Sequence, residues 1–168
     1  MNSRIQQIGL VLIGAAIAAG VWFTLAQKSV APEVRFTTLQ GEALTTAGLR
    51  GKVVLVNFWA TDCIPCIEEM PSIVETYNKY HAQGFETIAV AMSYDPPNHV
   101  LAYVEKNALP FKVALDVSGE LAKSFGNVRA TPTSFVIDRR GNIVAHYLGE
   151  PDFVRLRALL EDKLREPA

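Results

Sequence analysis

Two cysteines, Cys63 and Cys66, are the only thiols in the 168-residue chain, and two residues separate them. Thiols spaced i and i+3 at a helix start share one face, roughly 5–6 Å apart, within disulfide reach. Such a pair can cycle between dithiol and disulfide, serve as a fixed bridge, or help to hold a soft metal. A bridge over so short a loop removes little chain entropy, so it would stabilise the fold only weakly. A metal site needs further ligands, and His81, His99 and His146 are scattered without ligand spacing. Copper capture with Met70 or Met92 as soft ligands stays open as one alternative. A thiol peroxidase is another, with Thr61 beside the pair but no arginine nearby in sequence.

The elements around the thiols follow from the pattern. The apolar, β-branched run at residues 53–59 reads as a buried strand, and from Cys63 onward Ile67, Met70, Ile73, Val74 and Tyr77 recur at helical spacing. The thiols thus sit where a strand gives way to a helix. Pro71 should kink that helix, and Gly84 should stop it. Upstream, residues 34–39 and 43–46 have hairpin character. Downstream come a buried strand at 85–93 and a helix at 98–107 after Pro96-Pro97, with Val100, Leu101 and Val104 as its apolar side. A short strand at 111–115, a short helix at 119–125, a strand-turn-strand unit at 134–148 and a terminal helix at 151–164 complete the chain. That order predicts an α/β fold with a mixed sheet between helical layers.

Composition narrows the function. Sixteen basic and seventeen acidic side chains are interspersed, giving a net charge of −1 and no basic patch, which excludes a nucleic-acid partner. The apolar content is enough for one ordinary core. Residues 8–26 carry no charge and only Thr24 as an evidently polar side chain. At 1.5 Å per residue this run spans roughly 28 Å, close to the hydrocarbon thickness of a bilayer. Residues 1–27 are therefore expected to be a membrane anchor, with Thr24-Leu25-Ala26 as a poor cleavage site under the rival signal-peptide reading. Arg4 and the free amine ahead of the run keep the N-terminus inside and export the remainder. The expectation is an inner-membrane anchor (1–27), a linker (28–33) and a periplasmic domain (34–168). Outside the cytoplasm a thiol pair is oxidised unless electrons are supplied.

The block Phe58-Trp59-Ala60-Thr61-x-Cys63-x-Pro65-Cys66, the later Thr131-Pro132-Thr133 and the N-terminal anchor together resemble TlpA/ResA-like membrane-anchored thioredoxin-fold proteins. The resemblance covers the chain from about Val34 to the terminal helix. It implies a thioredoxin-like fold with an N-terminal β-hairpin extension and no cofactor beyond a redox-active Cys63–Cys66 disulfide. It implies that Cys63 attacks, Cys66 resolves, Glu69 handles protons and Pro132 is cis, so that Thr131 offers its backbone to an incoming peptide. Trp59, Asp62 and Pro65 join Thr131 and Pro132 as candidate substrate contacts. The implied partners are oxidised exported proteins, apocytochrome c thiols among the candidates, and a membrane electron donor of the CcdA/DsbD type. Asp62 departs from the family, which usually carries tryptophan there. Asn57 falls where cytoplasmic thioredoxins carry a buried aspartate.

Exchange chemistry needs an exposed thiolate, a second thiol to resolve the mixed disulfide, and a proton path. The helix N-terminus favours an anion by roughly 0.3–1 kcal/mol, up to about 2 in a partly buried site. Against it stand Asp62, Glu68, Glu69 and Glu75, with no Lys, Arg or His between Lys52 and Lys79. A carboxylate about 6 Å away repels a thiolate by roughly 3 kcal/mol at an effective dielectric of about 20, and by less than about 1 in open water. The Ile64-Pro65 spacer also lacks a thiolate-stabilising histidine. A less stabilised thiolate means a more reducing couple, so a reductant is expected.

Overall fold

A computed structural model of the chain describes residues 29–167. The expected anchor lies outside the described residues. Among the described residues, no helix is long and apolar enough to cross a membrane.

Among the described residues, eight strands, β1 (Ser29–Val30), β2 (Arg35–Thr37), β3 (Ala43–Thr45), β4 (Val53–Trp59), β5 (Phe85–Ala91), β6 (Lys112–Leu115), β7 (Thr133–Ile137) and β8 (Asn142–Leu148), are interspersed with four α-helices. The helices are α1 (Ile64–Tyr80), α2 (Pro97–Asn107), α3 (Glu120–Ser124) and α4 (Phe153–Arg165). Six strands form a mixed sheet in the order β1-β8-β7-β4-β5-β6. β4 runs parallel to β5 and antiparallel to β7, so the strand leading into the cysteines lies inside the sheet. Every residue of β4 and β5 is buried, as continuous apolar runs require when both faces of a parallel pair are covered.

Alternation along β4 divides the core. Val53, Leu55 and Trp59 pack with Met70, Ile73 and Tyr80 of α1, Val100 of α2 and Leu156 and Leu160 of α4. Val54, Val56 and Phe58 pack on the other side with Phe36 of the β2–β3 hairpin and with Leu121 and Ala122 of α3. The hairpin is tied to the sheet edge through the Leu39 N–H, which donates to the Val113 carbonyl at 2.9 Å.

Two local expectations change. Ser29 and Val30 pair with Ile143 and Asn142, and Ala31 behind them is buried, so sheet structure reaches into the expected linker. Leu101 is exposed, and α2 instead turns Val100 inward with Tyr103 and Val104 packed beside it. Gly84 ends the helical stretch as expected: α1, with Pro71 inside it, passes into a 3-10 turn (His81–Gln83) before Gly84 at φ 96°.

Candidate active site

The chain leaves β4 at Trp59 and turns tightly, with the Cys63 N–H donating to the Ala60 carbonyl at 3.2 Å. Cys63 is the N-cap of α1, and its Sγ accepts from the Cys66 N–H at 3.3 Å. Pro65 lies in the first turn, where its missing N–H costs no intrahelical bond. Cys63 and Cys66 are joined in a disulfide with their Cα atoms 5.2 Å apart. The two sulfurs are not equivalent, since Cys63 is half-buried whereas Cys66 is sealed at 0 % exposure. An incoming reagent therefore meets Cys63 first. Asp62, Ile64 and Pro65 are exposed around it.

Beneath the disulfide is a buried polar group. Glu69, one turn beyond Cys66 on the same face of α1, is completely buried. The side-chain amide of Asn57 donates to Glu69 Oε1 at 2.8 Å and to Ser134 Oγ at 2.9 Å. Burial pushes the Glu69 carboxyl up to about 7, against the lowering effect of the Asn57 bond, and Glu150 adds a small push in the same direction. Glu69 is thus not the solvated helix-face glutamate that its spacing also allowed. A buried carboxyl titrating near neutrality can exchange a proton at working pH.

The Thr131–Pro132 bond is cis, as the resemblance implied. Thr133 stands opposite Phe58 in the β4–β7 register, which brings the preceding Pro132 to the end of β4 where the cysteine turn begins. The Pro132 carbonyl accepts from the Gly149 N–H at 2.8 Å. A third loop closes the site: Asp95, buried after β5, takes the Thr61 N–H at 2.7 Å and the Thr61 hydroxyl at 2.6 Å. Its neighbour Tyr94 is exposed, with its hydroxyl 3.4 Å from Thr131 Oγ1.

Trp59 is a correction. It is fully buried against Tyr103, ring centroids 5.2 Å apart, because its place on β4 turns it into the helical layer. It supports the turn from below and cannot touch a docked substrate. Met92 belongs to the core on the far side of the sheet from Cys66, whereas Met70 packs in the same core as Cys66. The Thr61 hydroxyl, which a peroxidatic site would use, is committed to Asp95.

Ser134 escaped the sequence reading as a site residue, whereas Tyr94 and Asp95, at a strand end near Pro96, are groove candidates from sequence. Ser134 lies two residues past Pro132 and directly opposite Asn57 in the sheet register. A Thr-Pro before a strand marked the strand, but nothing local marks which residue it faces.

The redoxin family profile matches residues 26–160. Over 131 residues the chain is 37% identical to a thiol-disulfide oxidoreductase ResA of Bacillus thuringiensis subsp. konkukian, covering 78% of this chain and 75% of the relative. A crystal structure of a thioredoxin-family thiol:disulfide interchange protein from Chlorobium tepidum superposes with a TM-score of 0.75 at 28% identity, covering 83% of this chain and 98% of that one. StoA from Bacillus subtilis gives a TM-score of 0.66 at 25% identity over 77% and 97% of the two chains. With a thioredoxin-like sheet, a Cys63–Cys66 disulfide at a helix N-terminus and relatives of this kind, the chain belongs to the redoxin family, as a ResA-like thiol-disulfide oxidoreductase.

Proposed function

We propose that the protein works as a reductant of disulfides in exported polypeptides, with Cys63 attacking, Cys66 resolving and Glu69 carrying the proton between steps. The observation that carries this reading is the asymmetry of the pair: Cys63 is reachable, Cys66 is sealed, and Cys66 lies one helical turn from a buried carboxyl. In the reduced enzyme the Cys63 thiolate attacks one sulfur of the substrate disulfide. That S–S bond breaks, the departing sulfur takes a proton from solvent, and a mixed disulfide forms. Cys66 then gives its proton to Glu69 and attacks Cys63 Sγ. The mixed disulfide breaks, the second substrate sulfur leaves and is protonated, and the Cys63–Cys66 disulfide closes. The substrate gains two electrons and two protons, and the dithiol loses the same. Thr131, half-buried beside the buried cis-Pro132, and the exposed Asp62 and Pro65 are the surface that the substrate meets.

Three features support the reducing direction. No basic side chain lies between Lys52 and Lys79, the Cys63–Cys66 spacer lacks a histidine, and Asp62 adds a negative charge beside the attacking sulfur. The apolar run at residues 8–26 supports an inner-membrane anchor with the domain in the periplasm. A reductant there needs renewed electrons, for which a membrane donor of the CcdA/DsbD type is the proposed source. Equilibration of the pair against glutathione tests the direction. The account expects a potential well below the level of about −120 mV that marks a strong oxidant, and a value at that level would contradict it.

A further inference from the structure

Among the described residues the Asn57 amide is the one group that binds Glu69 Oε1, and it is itself held on its other N–H by a residue two positions past Pro132. Three elements meet there: β4 supplies Asn57, β7 supplies Ser134 and α1 supplies both Cys66 and Glu69. All three polar residues are at most 1 % exposed. Two buried acceptors, Asn57 Oδ1 and Glu69 Oε2, have no hydrogen-bond partner among the described residues. A primary amide has two N–H donors, and here both are used, one on the carboxylate and one on the hydroxyl. The amide therefore cannot turn without giving up one bond. Because Oε1 already accepts from Asn57, an arriving proton adds to Oε2.

We infer that Asn57 and Ser134 are positioning residues for proton transfer: Ser134 fixes the Asn57 amide, the amide pins Glu69 Oε1, and the mobile proton is thereby kept on Oε2. This rests on the reading of Glu69 as the proton carrier and goes beyond it by naming what sets its proton affinity. An amide donating to the carboxylate favours the charged form, while burial favours the neutral one. Their balance places the carboxyl near neutrality instead of far above it. The groups facing Glu69 are Asn57 from β4, Ser134 through that amide from β7, Cys66 from its own helix and the Glu150 carboxylate just after β8. The arrangement also links the strand that follows Pro132 to the proton carrier beneath the disulfide. A displacement of β7 would reach Glu69 through two side chains, Ser134 and Asn57.

The test follows the Glu69 side-chain carboxyl by 13C NMR across pH in the oxidised protein, where neither cysteine titrates and coupling to the thiols is absent. The wild-type midpoint is expected at about 7. Ser134→Ala should raise it by about half a unit to one unit, and Ser134→Thr should restore it. Asn57→Leu should raise it by about one to two units, the equivalent of one hydrogen bond to a charged group. The Ser134 variants carry the test if Asn57→Leu fails to fold. Lower stability with an unmoved midpoint in Ser134→Ala would overturn the inference, since that is what a merely structural role produces. Resolution of the mixed disulfide is measured in parallel across the same pH range. If Glu69→Gln leaves that pH profile unchanged, the proton-carrier reading fails instead.

Discussion

The two faces of strand β4 differ in kind. On one face Val54, Val56 and Phe58 meet the apolar side chains of the hairpin and α3, with the Phe58 ring 5.5 Å from Phe125 and 6.1 Å from Phe135, centroid to centroid. On the other face, between Leu55 and Trp59, Asn57 interrupts the apolar row and bonds to Glu69 and Ser134. Both faces are equally dry, so the polar group is not there for want of shielding. Burial of a carboxyl costs several kcal/mol unless it is paired or neutral; Asp116, buried under the helix on the other face, is held by the Leu121 and Ala122 N–H groups, whereas Glu69 has the one Asn57 bond and keeps its proton up to about 7. Both sides of the strand carry apolar core, and the polar chemistry is built into one of them.

Substitutions on each face should separate these roles. Phe58→Ala, on the apolar face, should cost about 3–5 kcal/mol of stability through lost transfer energy and cavity. It should leave the Glu69 titration unmoved. Chemical denaturation and the carboxyl NMR signal together check both halves. Glu69→Gln, on the other face, should act in the opposite direction. The unfolded carboxyl ionises near its ordinary value of 4.5, whereas the folded one keeps its proton up to about 7. The folded state therefore binds more protons between those values, and stability falls as pH rises across that window. Removing the group should raise stability above pH 7 by about 3 kcal/mol and flatten the pH dependence between 4.5 and 7. Denaturation midpoints at several pH values would show it. The smallest effect belongs to the rim. Asp62 is exposed, so its repulsion of the Cys63 thiolate is screened toward the open-water limit. Asp62→Trp should lower the Cys63 thiol pKa by less than about one unit, measurable by thiolate absorbance.

The same contrast explains what was legible in the sequence. Strands β4 and β5, helix α1 and the β7–β8 unit announce themselves through apolar runs, helical spacing and turn residues. The cysteine pair and Thr131-Pro132 were equally plain, because their meaning is local or carried by the family pattern. Two residues of edge strand at Ser29 and Val30 are too short to show any period, and only the register with β8 makes them sheet. The inward turn of Trp59 and the burial of Glu69 depend on how α1 lies on the sheet, and Glu69 has the same spacing as a surface glutamate. Ser134 and Asp95 gain their roles from partners 77 and 34 residues away in sequence. No window along the chain contains that information.

The central claim is that Cys63 is the attacking sulfur and Cys66 the resolving one, and trapping tests it most directly. Reduced Cys66→Ala and Cys63→Ala proteins would each be mixed with an oxidised disulfide protein, and the adducts read by mass spectrometry. The account predicts a stable mixed disulfide through Cys63 in the first variant and little or none through Cys66 in the second. Equal trapping by both variants, or adducts through Cys66 alone, would contradict it.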